Sequence, residues 1–199
     1  SKLLLALAEN YFGALEDGAP ADALHRLGEL YYRVRAGIGF NKTPAEYGAF
    51  PTDPYSHTPG HAGAQQPGMT GQVKEEVLTR FGELGVRVRE GVVHFDPGLL
   101  RAIEFSREPR LFRYLDVKGD WQDVDVPAGA LAFTWCQVPV VYRLADTNTP
   151  ALTLVFEYGR TEESRKLSLS EAMSAELFQR SGHIRQINVT LGKEYLLAD

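Results

Sequence analysis

The stretch TGQVKEEVLTRFGELGVRVREGVVHF, residues 70–95, decides the fold, because the spacing of its apolar residues changes partway along it. Val73, Val77, Leu78, Phe81 and Leu84 recur at the period of a helix with one apolar face. Thr70 is placed to cap that helix and Gly85 to end it. Beyond Gly85 the period drops to two in Val86 to Arg89 and Val92 to Phe95, the spacing of half-buried strands.

Upstream the pattern stays helical. Leu4, Ala8, Tyr11, Phe12 and Leu15 form one stripe that Gly18 and Pro20 stop. Asp22 then precedes a second stripe of Leu24, Leu27, Leu30, Tyr31 and Val34, which runs out at Gly37 and Gly39. The short link between the stripes predicts an antiparallel helical hairpin.

Downstream the pattern reads as strands over 103–105, 111–115, 130–135, 138–144, 152–158, 166–170, 175–179 and 184–191, punctuated by Gly159, Ser181-Gly182 and Gly192. The expected class is α+β: a helical hairpin, a long ordered loop and a third helix, then a mostly antiparallel β-sandwich or curved sheet. The expected division is a helical segment over 1–85 and a sandwich-like domain over 86–199. Neither GxGxxG nor GxxxxGK[ST] occurs, so nucleotide binding by those two loops has no support.

Composition narrows the function classes. A chain of 199 residues with 44% hydrophobic and 24% charged residues has the makeup of an ordinary globular protein. Its net charge of −5 argues against a nucleic-acid partner. The local group Arg107, Arg110 and Arg113 is interrupted by Glu104, Glu108 and Asp116 and reads as a solvated mixed surface. Cys136 is the single cysteine, which excludes an internal disulfide, and its apolar neighbours read it as a small buried hydrophobe. The apolar start is broken by Glu9 and Asn10, too early for a membrane span, so no membrane partner is expected. A soluble protein follows, with cytoplasm and periplasm both open.

Between Asn41 and Gly71 all periodicity disappears among five prolines and five glycines. Tyr47, Phe50 and Tyr55 give this loop anchoring aromatics, and a loop so long inside a compact domain is expected to carry function. Asp53, His57, His61 and Glu75 are the acid/base candidates, with Glu46 and Glu76 close by. Asp53, His57 and His61 could also hold a metal, but Pro59 and Gly60 spoil the helical spacing and no cysteine joins the set; no metal and no cofactor are expected. Asn41, Tyr47, Tyr55, Gln65, Gln66 and Gln72 combine flat apolar faces with amides. That is the chemistry of a carbohydrate or other small polar ligand. Trp121, among Asp120, Asp123 and Asp125, is a candidate surface platform, whereas Trp135 reads as core. His94 and His183 read as structural, and His25 falls on the polar side of the second helix.

The segments FPTDPYSHTPGHAGAQQPGMTGQVKEEVLTRFGELGV, residues 50–86, and FTWCQVPVVY, residues 133–142, resemble the C-terminal part of large bacterial carbohydrate-active proteins, in which an α/α toroid precedes a β-sandwich. The resemblance covers residues 40–191 and carries no catalytic motif that maps residue by residue. It implies part of an enzyme of glycoside hydrolase or polysaccharide lyase type. The loop would then form one rim of a site completed by an upstream catalytic domain. Ser1 in place of an initiator methionine agrees with an excised piece of a longer polypeptide. The reading from a different class is a non-enzymatic interaction module or a homo-oligomer.

Overall fold

The computed structural model describes residues 3–35, 70–146 and 149–197, with side chains of the third helix described from residue 77. The chain divides into two compact units, Ser1–Leu84 and Gly85–Asp199.

In the first unit, α1 (Leu3–Glu16) and α2 (Ala21–Arg35) form a hairpin, and α3 (Thr70–Glu83) packs against α1. Helix α1 buries Leu4, Leu7, Ala8, Tyr11 and Phe12, one stripe at helical spacing. Its end is closed by Gly18 at φ +69°: the Ala19 N–H donates to the Ala14 carbonyl at 2.9 Å and the Gly18 N–H to that of Leu15 at 3.2 Å. This is a Schellman closure, which satisfies carbonyls the helix leaves open.

Helix α3 departs from expectation in which side it buries. Val77 and Leu78 are exposed, while Thr79 and Glu83, one turn apart, are buried. Glu83 occupies that stripe because three donors meet it there. The Tyr31 hydroxyl donates to Oε1 at 2.6 Å, Arg35 donates to the same oxygen, and Arg80 donates to Oε2 at 2.7 Å. Burial raises the Tyr31 phenol far above its ordinary range, against the lowering influence of Arg35.

The second unit opens with the hairpin β1 (Val86–Arg89) and β2 (Val92–Phe95), turned by Glu90 and Gly91, both at positive φ as a two-residue primed turn requires. A second hairpin, β3 (Arg110–Leu115) with β4 (Trp121–Val126), follows. The main sheet contains β5 (Ala130–Trp135), β6 (Val138–Leu144), β7 (Ala151–Phe156), β8 (Thr161–Ser164) and β9 (Ile184–Leu191), in the order β5-β6-β9-β7-β8. Among the described strand ladders β6–β9 is the parallel one, and an isolated bridge between Arg101 and Leu197 is parallel as well; the α+β class, mostly antiparallel, holds.

Strand register assigns the two faces of this sheet. Val140, Tyr142, Ile187, Val189, Leu152 and Leu154 share one face and are all buried. Burial of each such aliphatic side chain contributes about 1.5–3 kcal/mol relative to exposure. Phe95 of the first hairpin meets Tyr142 edge-on at 6.3 Å between ring centroids. On the opposite face Val141 and Ala130 cluster with Val126 of β4, and Phe112 and Val124 of the same hairpin pack against them. Further along, that face turns polar, with Asn188, Gln186 and Thr153 in register.

Four expected strands are corrected. Residues 103–105 lie instead in and beside a 3-10 turn, Ala102–Glu104, where the N–H of Phe105 returns to the Ala102 carbonyl and Ile103 faces solvent. Residues 175–179 belong to helix α4 (Glu171–Gln179), which starts where the Ser170 hydroxyl accepts the Met173 N–H at 3.2 Å. Residues 166–170 contribute one isolated bridge, Ser168 to His94. The strand over 152–158 stops at Phe156 and passes into a short turn, Glu157–Gly159. Cys136 is half-buried at φ +50° in the β5–β6 turn rather than in the core, and burial pushes its thiol up. Trp135 is half-buried.

Candidate functional site

Two recesses lie at the Phe156 end of β7, the first on the polar face under the β3–β4 turn and the second on the side of α4. The first is built around the turn between β3 and β4, Asp116-Val-Lys-Gly-Asp120. Gly119 at φ +83° lets its N–H reach the Asp116 carbonyl at 2.9 Å, and the Asp116 N–H donates to the Asp120 carbonyl at 3.0 Å. The Asp116 carboxylate folds back over its own turn. Its Oδ1 accepts the N–H groups of Lys118 at 2.8 Å and Asp120 at 3.0 Å, and its Oδ2 accepts the Gln122 amide at 3.3 Å.

Those donors fix the charge state. The Asp120 N–H foremost, and after it the Lys118 N–H, Arg185 and the Gln122 amide, hold the Asp116 carboxyl below the usual aspartate range although burial opposes them. A depressed folded value stabilises the turn at pH above the unfolded value, about 3.9, and that stabilisation is lost as pH falls through the folded value. The amide NMR signals of Lys118 and Asp120 should therefore stay in place through pH 5 and shift together only below about pH 3.9. A midpoint at or above the ordinary aspartate value would contradict this account of the turn.

Two glancing contacts set the turn's position. The Gln137 amide, in the β5–β6 turn, donates to the Asp116 carbonyl at 2.9 Å. A Cβ at Gly182 would lie 3.1 Å from Val117 Cγ2, so the chain before β9 approaches closely only as glycine.

The other wall comes from β7 and β9. Ile184 and Ile187 are both buried although three residues apart, because a bulge opposite Val155 and Phe156 inserts one extra residue. Arg185 and Gln186 fall side by side as a result, and both line the recess, which measures about 340 Å³ and also contains Tyr114, Lys118 and Val155. Burial raises the Tyr114 phenol, with the Asp116 charge adding to the effect.

The second recess, about 300 Å³, is lined by Phe156, Glu157, Tyr158, Arg160, Met173, Glu176 and His183. His183 Nδ1 lies 2.6 Å from Glu176 Oε1, and the Ser181 hydroxyl donates to that same oxygen. The serine and then the histidine hold the Glu176 carboxyl below its ordinary range. Both partners converge on one carboxylate oxygen, an arrangement that ties the loop before β9 to α4 and is not that of a serine nucleophile activated by a histidine. Arg185 of the first recess and Glu157 of the second pair at 3.5 Å.

Of the residues expected from sequence, Asn41, Tyr47, Asp53, Tyr55, His57, His61, Gln65 and Gln66 lie outside the described residues. Gln72 and Glu75 fall on α3, but their side chains are likewise outside the description. Trp121 is 61% exposed on the outer face of the β3–β4 hairpin, with the Arg113 guanidinium 5.2 Å from its ring centre. Sequence reasoning missed Asp116, Arg185 and Gln186; the Asp-x-x-Gly-Asp turn was the one local signal. Among the described residues no group of three or more His, Cys, Asp or Glu could hold a metal ion, and no helix is long and apolar enough to cross a membrane.

A scan against protein-family models finds no match to this chain, and a search of curated proteins finds no significant relative.

Proposed function

We propose that this chain recognises carbohydrate, as the C-terminal region of a bacterial carbohydrate-active enzyme of glycoside hydrolase or polysaccharide lyase type. The observation that carries the reading is the chemical mixture in the first recess. Sugar hydroxyls donate and accept at once, so they need acceptors and donors interleaved at fixed positions. Asp120 and Asp123 supply carboxylates, Gln186 an amide, Arg185 a guanidinium and Tyr114 a phenol, around a turn whose shape the buried Asp116 carboxylate fixes. A volume of about 340 Å³ falls at the small end of ligand pockets. The loop over 41–71, with its aromatics and amides, extends the same chemistry in sequence.

Calorimetric titration with a panel of neutral oligosaccharides and oligouronates is expected to give saturable heat for one chemical series. Gln186→Ala should weaken that binding about tenfold, the worth of one well-made polar contact. A panel without heat or thermal shift sinks the proposal. If light scattering then showed a stable dimer, the outer face of the β3–β4 hairpin, where Leu111, Leu115 and Trp121 are exposed, would favour the interaction module instead.

A further inference from the structure

We infer that this chain forms a two-fold dimer through the outer edge of β5, whose occupant is the β5 strand of a second copy lying antiparallel to it. The main sheet has two edges, β5 and β8, and they differ in kind. β8 is four residues long and exposes Glu162 and Glu163, so a second β8 beside it would set like charges together. β5 reads Ala-Leu-Ala-Phe-Thr-Trp over residues 130–135, with no charge and no proline. An edge of that composition is a template for another strand unless something blunts it. The inference stands independently of the carbohydrate reading.

Two observations fix which backbone groups of β5 point outward. Pro139 of β6 stands opposite Thr134 and has no N–H to exchange, so that pair makes no ladder bonds and the Thr134 N–H and carbonyl are directed away from β6. Toward the other end, the Ala130 carbonyl accepts the Ser106 N–H at 2.8 Å from outside the sheet, which gives Ala130 the same orientation. Alternation then turns Ala132 outward as well. The segment before Ser106 keeps to the edge for that single bridge and turns away through Ala102–Glu104. Among the described residues no backbone group bonds Ala132 or Thr134 on the outer side. A strand that fits there must offer donor and acceptor pairs two residues apart, and β5 reversed offers that spacing itself. With the two-fold axis at Phe133, Ala132 faces Thr134 of the partner subunit and Thr134 faces Ala132 of the partner subunit, so every outward N–H and carbonyl of both residues is satisfied. Phe133, held edge-on to Tyr142 at 5.3 Å between ring centroids, then stands beside Phe133 of the partner subunit. Because β8 is blunted by its charges, the pairing closes at two copies instead of running on as a filament.

Sedimentation equilibrium of the full chain at rising concentration should show the 22.1 kDa monomer doubling in mass. Hydrogen exchange at the Ala132 and Thr134 amides should slow over the same range, while the Leu131 and Phe133 amides, already turned toward β6, should not respond. Thr134→Pro takes away an outward N–H and no bond to β6. It should weaken dimerisation at least about tenfold and leave the melting temperature of the dilute monomer unchanged within a few degrees. Thr134→Lys, which keeps the N–H but places a charge on the edge, should weaken it too and serves if proline disturbs the strand. A chain that stays monomeric up to about 1 mM, the weak end of specific association, overturns the inference. So does a dimer indifferent to both Thr134 variants, or one in which exchange at Ala132 and Thr134 ignores concentration. Loss of such a dimer in Leu111→Lys would assign it instead to the outer face of the β3–β4 hairpin.

Discussion

Glu83→Ala is expected to cost the helical unit about 3–5 kcal/mol, the range measured when one partner of a buried ion pair is removed. The side chain is fully buried, and three donors converge on it from α2 and α3: Tyr31, Arg35 and Arg80. Alanine would leave the tyrosine hydroxyl and two guanidinium groups facing a void without their acceptor. Replacing the carboxylate by the amide in Glu83→Gln keeps the volume and one acceptor oxygen, so its loss should be smaller. Far-UV circular dichroism during urea unfolding measures both variants. A Glu83→Ala protein within about 0.5 kcal/mol of wild type, the scatter of innocuous surface changes, would show that the network adds nothing to the helices.

Gly85→Ala is the second large effect. At φ +70° any side chain costs about 1–2 kcal/mol in backbone conformation alone. A Cβ there would also stand 2.2 Å from the Asp96 carbonyl carbon and 2.3 Å from its oxygen, and these are backbone atoms that cannot swing aside. The Asp96 N–H donates to the Gly85 carbonyl at 2.7 Å, so the displacement would break the contact that closes the first hairpin. We expect a loss above about 3 kcal/mol, in the diagnostic tail for single substitutions. Gly119→Ala is the internal control. Its φ is +83° but its Cβ would meet nothing within 4 Å, so only the conformational part, about 1–2 kcal/mol, should appear. Equal midpoints for the two variants in urea would refute the steric argument.

The parts of the fold readable from sequence are those whose burial repeats locally. Strands β6 and β9 announce themselves through runs of valine, isoleucine and leucine, because one face of each is wholly inside. Strand β4 is hard to read from sequence because Gln122, Asp123 and Asp125 occupy exposed positions and its largest apolar residue, Trp121, is exposed too, which leaves Val124 and Val126 to mark the inner face. Strand β8 lies at the sheet edge and reads Thr-Glu-Glu-Ser, with no apolar residue at all. Helix α4 resembles a strand in sequence because Ala175 to Phe178 is a short apolar-rich run. Its real signal, the Ser170 cap three residues ahead of Met173, requires looking at the boundary instead of the middle.

The candidate site resists a sequence reading for a different reason. Asp116 and Gln186 are seventy positions apart, and only the pairing of β7 with β9, bulge included, brings Arg185 and Gln186 toward the β3–β4 turn. No local motif encodes a bulge whose evidence is the spacing of two buried isoleucines. The aromatic and amide density of residues 41–71 is visible in one dimension, whereas convergence of distant side chains is not.

The parallel pairing of β6 with β9 governs the order in which this sheet can be born. β9 lies between β6 and β7, yet it is the last of the strands to be synthesised. Until residue 191 has left the ribosome, the inner edges of β6 and β7 have no partner, and their apolar faces wait with them. Nascent β5–β6 and β7–β8 hairpins can form early, as local contacts allow, but they remain two separate pieces. Insertion of the central strand is therefore the step this topology predicts to come late, and the interval before it is when a chaperone is expected to matter most.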